Sequence, residues 1–261
     1  MQIIIVSTIL VAVLGLLIGL FLGIASIIFK VDIDEKIEKI REVLPGNNCG
    51  GCGYPGCDGL AEAISKGEAP VNGCPVGGSV VAKKVSEIMG VKEMTADKKV
   101  AFVHCNGSCD NINLGYEYFG EKSCRVASLL PNKGEKKCRF ACIGYGECVD
   151  VCKFDAIHIV DGVAKVDEEK CVACGACIKA CPMNLIELVP YNKKHFVVCS
   201  SKDKGKLAMD ACKVSCIACG MCEKNCPSDA IHVIDNVAVM DFSKCNDCGI
   251  CSEKCPRKTI S

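Results

Sequence analysis

One cysteine spacing is written three times in this chain: Cys171-x2-Cys174-x2-Cys177-x3-Cys181-Pro182, then Cys216-x2-Cys219-x2-Cys222-x3-Cys226-Pro227, then Cys245-x2-Cys248-x2-Cys251-x3-Cys255-Pro256. Three thiolates two residues apart can grip one [4Fe–4S] cluster, while the fourth, held before a proline, reaches to a neighbouring cluster. The chemistry of such a site is one-electron transfer.

Other uses of cysteine fit less well. Disulfides suit short secreted chains, and residues this close rarely reach disulfide geometry without strain. Cys-x2-Cys pairs also make zinc knuckles, but a third cysteine at the same spacing followed by Cys-Pro favours iron–sulfur. With 25 cysteines, no tryptophan and 5% aromatics in 261 residues, the chain is short of large apolar side chains, so metal centres must supplement its core. Its formal net charge is zero, which argues against nucleic-acid binding through a basic surface.

A fourth module precedes these runs. Cys49-x2-Cys52-x4-Cys57-x16-Cys74-Pro75 lies in the glycine-rich string Leu44-Pro45-Gly46-Asn47-Asn48-Cys49-Gly50-Gly51-Cys52-Gly53. Four thiols suffice for one cubane, and glycines let backbone N–H groups approach its sulfurs. Zinc is the alternative occupant.

A shift of 74 residues lays Cys138, Cys142, Cys148, Cys152, Cys171, Cys174, Cys177 and Cys181 onto Cys212, Cys216, Cys222, Cys226, Cys245, Cys248, Cys251 and Cys255 without a gap. Two copies of one unit follow, each a two-cluster ferredoxin. By the crossed-ligand rule the second copy pairs Cys216, Cys219 and Cys222 with Cys255, and Cys245, Cys248 and Cys251 with Cys226. The first copy pairs Cys171, Cys174 and Cys177 with Cys152. Its other set is short: Tyr145 stands where the repeat calls for cysteine, leaving Cys142, Cys148 and Cys181, with Cys138, one helical turn away, as the expected substitute. Lys153 replaces the usual proline after Cys152. Cys105, Cys109, Cys124, Cys199 and Cys212 stand outside this scheme. Cys212 is the equivalent of Cys138, and Cys199 that of Cys124 after a one-residue shift. These residues suggest a sixth cluster on Cys105, Cys109 and Cys124, with a fourth ligand from Cys138, Cys199 or Cys212. Buried free thiols are the alternative.

The elements that must hold these sites are short. Ile157 to Val160 and Ile231 to Ile234 read as strands, turning at Asp161-Gly162 and Asp235-Asn236. His158 and His232 alternate with apolar neighbours as strand residues rather than ligands. Asp32 to Leu44 reads as an amphipathic helix with Ile33, Ile37, Ile40 and Leu44 on one face, and Val80, Val81, Val85 and Ile88 give helical spacing within residues 79 to 97. From Ile3 to Phe29 no residue is charged. As a helix that stretch spans about 40 Å, more than the ~30 Å hydrocarbon layer. A cleaved signal would need a basic start, and residues 1 to 29 hold no Lys or Arg. Lys30, Lys36, Lys39 and Arg41 follow the span and place the remainder in the cytoplasm. Gly15, Gly19 and Gly23 repeat every four residues, a spacing that admits a second membrane helix. Lys133, Lys136, Lys137 and Arg139, and Lys202, Lys204 and Lys206, form basic patches that could steer an acidic carrier protein.

The apolar amino terminus, the Leu44–Gly53 string and the repeats together resemble the B subunit of the Rnf electron-transport complex, over essentially the whole chain. Cys105 to Cys148 and the Cys199-Ser-Ser-Lys-Asp-Lys-Gly string resemble the cluster-rich form of anaerobic bacteria. The resemblance implies a membrane-anchored subunit that takes electrons from reduced ferredoxin on the cytoplasmic side. It would relay them to other subunits of a ferredoxin:NAD+ oxidoreductase coupled to Na+ or H+ translocation. Tyr145 departs from the ordinary ferredoxin pattern.

The expected fold is α+β: a transmembrane anchor (1–30), a helix with the four-Cys [4Fe–4S] domain (31–98), a Cys-rich segment with the first two-cluster ferredoxin (99–190), and the second (191–261). Five clusters and a sixth are expected. No G-x-G-x-x-G after a strand and no Walker A loop is present, so hydride chemistry must lie in another subunit. No paired carboxylates or Cys–His arrangement marks a catalytic site, and the span carries no Asp or Glu to pass an ion. A polyferredoxin that reduces a regulatory protein without ion transport, and a zinc scaffold, are the rival readings.

Overall fold

The structure, a computed structural model, describes residues 2–28, 34–92 and 98–261. Helix α1, Gln2–Ile28, contains the span Ile5–Ala25, whose mean hydropathy of 2.8 is enough for a membrane crossing and which, among its described residues, has none buried against the rest of the chain. A Cβ at Gly15, Gly19 or Gly23 would meet nothing within 4 Å, so that face is uncovered within the chain. Lys30 and Ile33, and residues 93–97 at the end of the second expected helix, lie outside the described residues.

Three helices build the first cysteine module: α2 (Glu35–Val43), α3 (Gly56–Ser65) and α4 (Gly78–Met89). The Asp34 side chain accepts from Lys36 N and caps α2, while Gly90, at φ 66°, ends α4 in the left-handed region. Ile40 and Leu44 pack on Leu60 and Ile64 of α3 and on Val85 of α4, a small core closed on one side by Cys57, Cys52 and Cys74. Arg41 Nε lies 2.5 Å from Asp58 Oδ1 and ties α2 to α3.

The remainder is built from pairs of short strands and single helical turns. In chain order these are β1 (Lys99–Val103), α5 (Cys124–Ser128), α6 (Glu147–Asp150), β2 (Ile157–Val160), β3 (Val163–Val166), α7 (Ala176–Ala180) and β4 (Ile186–Pro190). They are followed by α8 (Gly205–Ala211), α9 (Met221–Lys224), β5 (Ile231–Ile234), β6 (Val237–Met240) and α10 (Ile250–Glu253). Both expected hairpins form, β2–β3 and β5–β6, each antiparallel. Their turns are Asp161-Gly162 (φ 49° and 75°) and Asp235-Asn236 (φ 50° and 65°), the paired positive φ values of a type I′ turn.

The sequence did not announce the ladder of β1 with β4, in which Val103 faces Ile186 and Lys99 faces Pro190. The second copy repeats it in reduced form, with a bridge between Val197 and Ile260 and reciprocal bonds between Phe196 and Ser261. Ile186 and Ile260 are 74 residues apart, but Val103 and Val197 are 94 apart. The first copy therefore carries about twenty extra residues between its opening strand and its first cysteine run.

Candidate metal centres

The four cysteine runs share one backbone path. Two residues after the opening cysteine the chain turns through positive φ at Gly144 (92°), Ala173 (55°), Ala218 (55°) and Asp247 (61°). It does so again two residues later, at Gly146 (93°), Gly175 (75°), Gly220 (70°) and Gly249 (77°), each of which precedes a helical turn. Two reversals within five residues curl the chain round a centre and aim its thiols inward. The run with Tyr145 keeps this path, so the tyrosine stands in place of the other runs' second cysteine without altering the loop.

Three cavities are walled by the crossed sets. Cys216, Cys219 and Cys222 meet Cys255 at one, Cys245, Cys248 and Cys251 meet Cys226 at the second, and Cys171, Cys174 and Cys177 meet Cys152 at the third. Their remaining walls are largely apolar: Ile217, Val233 and Ile260 at the first, Ile157, Val166 and Ala173 at the third. Among the described residues no three His, Cys, Asp or Glu side chains are gathered closely enough to clasp one bare metal ion. The thiols stand round a space instead, the arrangement a multi-iron cluster requires and a tetrahedral zinc site does not.

The fourth cavity corrects the sequence reading. It is lined by Cys142, Cys148, Cys181 and Cys124, not by Cys138. Residues 138–146 form turns rather than a helix, so the one-helical-turn relation that favoured Cys138 does not exist. Cys124 arrives from the extra twenty residues as the first residue of α5. Ser123 caps that helix by accepting from Val126 N, and donates its hydroxyl to Glu147 Oε1 at 2.5 Å. The same carboxylate oxygen accepts Arg125 N at 3.0 Å. Burial works to raise the Glu147 pKa, but the Ser123 hydroxyl and the amide of Arg125 outweigh it and hold the carboxyl below its usual range. Tyr145 lies against Tyr118 of the same insertion, ring centroids 6.4 Å apart. The insertion thus covers the tyrosine and delivers a thiol together.

Backbone amides converge on the sulfurs. Cys226 Sγ accepts from Ala230 N at 3.3 Å, Cys255 Sγ from Thr259 N at 3.3 Å, Cys152 Sγ from Ala156 N at 3.4 Å, and Cys245 Sγ from Asp247 N at 3.3 Å. Ala101 N, from β1, donates to Cys171 Sγ at 3.3 Å. Such bonds favour a negatively charged sulfur and tune a cluster's potential. They are not enough to ionise the buried thiols alone. Burial first, then the neighbouring thiols, pushes Cys148 up to about 12, and burial pushes Cys177 and Cys222 up to about 11. Cys226 differs: burial again raises it, but the amides of Ala230 and Ser228 and the Ser228 hydroxyl leave it below the ordinary thiol value. Facing, buried, apolar-walled thiols become thiolates when a cationic metal core neutralises them, so the donor set fits an iron–sulfur group.

In the first module Cys57 and Cys52 face Cys74, whose thiol is raised by burial and accepts from the amides of Gly77 and Val76. Asn48, at φ 45°, accepts Cys57 N through Oδ1 at 2.8 Å and fixes the loop that carries Cys49. A Cβ on Gly51 would sit 2.6 Å from the Cys174 carbonyl oxygen, so this glycine lets the module's loop reach the third cavity.

The remaining thiols divide. Cys138 faces Cys105 and Cys212, and Cys199 faces Cys138 and Cys216. Cys109 is exposed, next to Gly162 on the hairpin turn. Cys105, rather than Cys124, occupies the place in the first copy that Cys199 holds in the second, since Cys142 N donates to Cys105 Sγ as Cys216 N donates to Cys199 Sγ. His158 and His232 lie on strands and bond to the carbonyls of Asp155 and Asp229, away from the cavities. The basic patches are largely paired or turned inward: Lys137 with Asp210, Arg139 with Asp203, Lys202 with Asp235, and Lys136 bonded to the carbonyls of Gly107 and Gly162.

Four protein-family models match the chain: an Fe-S cluster family at residues 44–76, the LdpA Fe-S cluster-binding domain at 147–192, and two 4Fe-4S dicluster domains at 170–230 and 215–260. The match at 170–230 joins two successive runs that the cavities assign to different copies. Any two such runs satisfy the spacing, and the hairpins decide which fold together. Among curated proteins the chain is 49% identical over 234 residues, 89% of it and 70% of the relative, to the B subunit of the Na(+)-translocating ferredoxin:NAD(+) oxidoreductase complex of Acetobacterium woodii. It is 41% identical to the B subunit of the ion-translocating oxidoreductase complex of Methanosarcina acetivorans, covering 89% of this chain and 88% of the relative. To the B subunit of the proton-translocating ferredoxin:NAD(+) oxidoreductase complex of Clostridium ljungdahlii it is 37% identical, covering 94% and 87%. Spanning each of these relatives over most of its length, the chain belongs to the B-subunit family of Rnf-type ion-translocating oxidoreductase complexes.

Proposed function

We propose that this chain is the iron–sulfur electron-transfer subunit of an Rnf-type ferredoxin:NAD+ oxidoreductase coupled to Na+ or H+ translocation. It would take electrons from reduced soluble ferredoxin and pass them to the other subunits. The observation that carries this reading is the set of four cavities, each walled by four thiols drawn from two or three separate segments. Bound [4Fe–4S] clusters supply one-electron chemistry there. The chain's own part is to hold them, exclude water with apolar walls, and set their potentials with amide donors.

The proposed ligand sets are Cys49, Cys52, Cys57 and Cys74; Cys124, Cys142, Cys148 and Cys181; Cys152, Cys171, Cys174 and Cys177; Cys216, Cys219, Cys222 and Cys255; and Cys226, Cys245, Cys248 and Cys251. The domains follow as an anchor (1–30), the first cluster module (31–98), and two ferredoxin units (99–190 and 191–261). The close approach of Gly51 to Cys174 supports electron passage between the first module and the first ferredoxin. Helix α1 would cross the membrane once, with Lys36, Lys39 and Arg41 holding the cluster-bearing part on the cytoplasmic side. Hydride transfer to NAD+ and ion movement would belong to partner subunits.

Rapid mixing of the anaerobically purified full chain with reduced ferredoxin tests the donor. The expected result is bleaching of the cluster absorption within the mixing experiment, at a rate that rises with ferredoxin concentration. Absence of bleaching by ferredoxin, in a sample that dithionite does bleach, would reject ferredoxin as the donor.

A further inference from the structure

We propose that Cys105, Cys138, Cys199 and Cys212 hold a sixth [4Fe–4S] cluster on a local two-fold axis between the two ferredoxin copies, and that Cys109 is not a ligand. The proposal rests on the iron–sulfur reading above and adds the site, its ligands and its place.

The two-fold is visible in the bonding. Phe102-Val103-His104-Cys105 and Phe196-Val197-Val198-Cys199 are equivalent segments 94 residues apart. His104 N donates to Leu185 O in the first copy, and Val198 N donates to Thr259 O in the second, Leu185 and Thr259 being 74 apart. The two segments then meet each other. Asn106 N donates to Val198 O at 3.1 Å, and its mate across the axis, Ser200 Oγ, donates to His104 O at 2.9 Å. This antiparallel register sets Cys105 opposite Cys199. Equivalent residues also touch: the rings of Phe102 and Phe196 lie 4.5 Å apart. Cys138 and Cys212, the second equivalent pair, come from the two segments that lead into the cluster runs. Cys212, just after α8, is bridged to Ile112 of the first copy, with Lys213 N donating to Asn111 O. Cys105, Cys138 and Cys212 are buried in one core with Ile112, Ala141 and Ala211.

Each of the four thiols is served by the amide two residues on, as Cys245 is by Asp247. Gly107 N lies 3.4 Å from Cys105 Sγ and Ser201 N 3.4 Å from Cys199 Sγ, and the amides of Phe140 and Val214 serve Cys138 and Cys212. Three buried thiols and the half-buried Cys199, with four matched donors, two thiols from each copy, make a ligand set of the kind the ferredoxin cavities use. Cys109 has no part in it: it is exposed, and its amide bonds to Asp161 O on the first hairpin. A cluster here would also tie the two copies into one body through metal–thiolate bonds.

The test is iron and acid-labile sulfide in the anaerobically purified full chain and in Cys→Ser variants. Six clusters give about 24 iron atoms per wild-type chain. Cys105→Ser, Cys199→Ser and the double variant should each lose about four iron, because all three remove the same cluster. Cys109→Ser should lose none. A wild-type content of about 20, full iron in Cys199→Ser, loss in Cys109→Ser, or a double variant losing about eight would each overturn the proposal. The wild-type count keeps the test decisive if a variant does not fold. Cys248→Ser serves as reference: full iron there would sink the underlying iron–sulfur reading instead, whatever the other variants do.

Discussion

Cys124→Ser, alone and combined with Tyr145→Cys, probes the cluster site that departs most from the ordinary ferredoxin pattern. The serine removes one of the four thiols that line its cavity, leaving Cys142, Cys148 and Cys181. Without a metal core that site resists ionisation: burial, and after it the neighbouring thiols, push Cys148 up to about 12, a cost of roughly 4 kcal/mol for one thiolate at about 1.4 kcal/mol per pKa unit. Three such thiols and a hydroxyl hold a cubane poorly, so iron should fall by about four atoms per chain. A fall of about one, with the oxidised-state EPR signal of a three-iron cluster, would report the same lost ligand. The double variant should regain the iron, because Gly144 and Gly146 already hold the loop in the conformation that Ala218 and Gly220 give Cys219. The assay is iron, sulfide and EPR on the anaerobic protein. Full iron in Cys124→Ser, or rescue of Cys138→Ser by Tyr145→Cys, would show that Cys138 is the fourth ligand and refute the reasoning.

Other outcomes follow from the same geometry. Glu147→Ala removes the acceptor of Ser123 Oγ and Arg125 N. It should loosen α5 by about 1–3 kcal/mol, seen as faster loss of one cluster's iron to a chelator with the other clusters unaffected. Gly51→Val should clash with the Cys174 carbonyl. It should slow electron exchange between the first module and the first ferredoxin in freeze-quench EPR without changing total iron, and an unchanged rate would mean that this contact is not on the path. Deletion of residues 2–28 should move the chain from the membrane to the soluble fraction with its clusters retained. Complete removal of iron by chelation should abolish the cooperative melting of residues 99–261, because cysteines close every core there that contains a hairpin.

The regular cysteine runs and the hairpins were legible because each is written locally: a five-residue loop with two left-handed positions, and an Asp-Gly or Asp-Asn pair between short apolar strands. The β1–β4 ladder was not, because Val103 and Ile186 lie on either side of the whole first cysteine-rich unit and no local signal links them. The fourth thiol of the cavity beside Tyr145 was not legible for a related reason. Cys138 is near in sequence, but its segment is a turn that points to Cys105 and Cys212, whereas Cys124 returns on an insertion fixed by Glu147. A signal was present. The Phe-Val-His-Cys and Phe-Val-Val-Cys segments, 94 residues apart, pair Cys105 with Cys199 and leave Cys124 free to serve another site. The 74-residue shift masked it because the insertion lies between the two registers. The charge balance of the basic patches was hidden for another reason, since sequence shows lysines but not the aspartates Asp203, Asp210 and Asp235 that the fold sets against three of the cations.

The most direct test of the account is an anaerobic redox titration of the full chain followed by low-temperature EPR with spin quantification and metal analysis. The account predicts about six one-electron [4Fe–4S] centres per chain, with iron and sulfide in equal amounts. A colourless chain containing zinc, with no iron and no reducible centre, would contradict it.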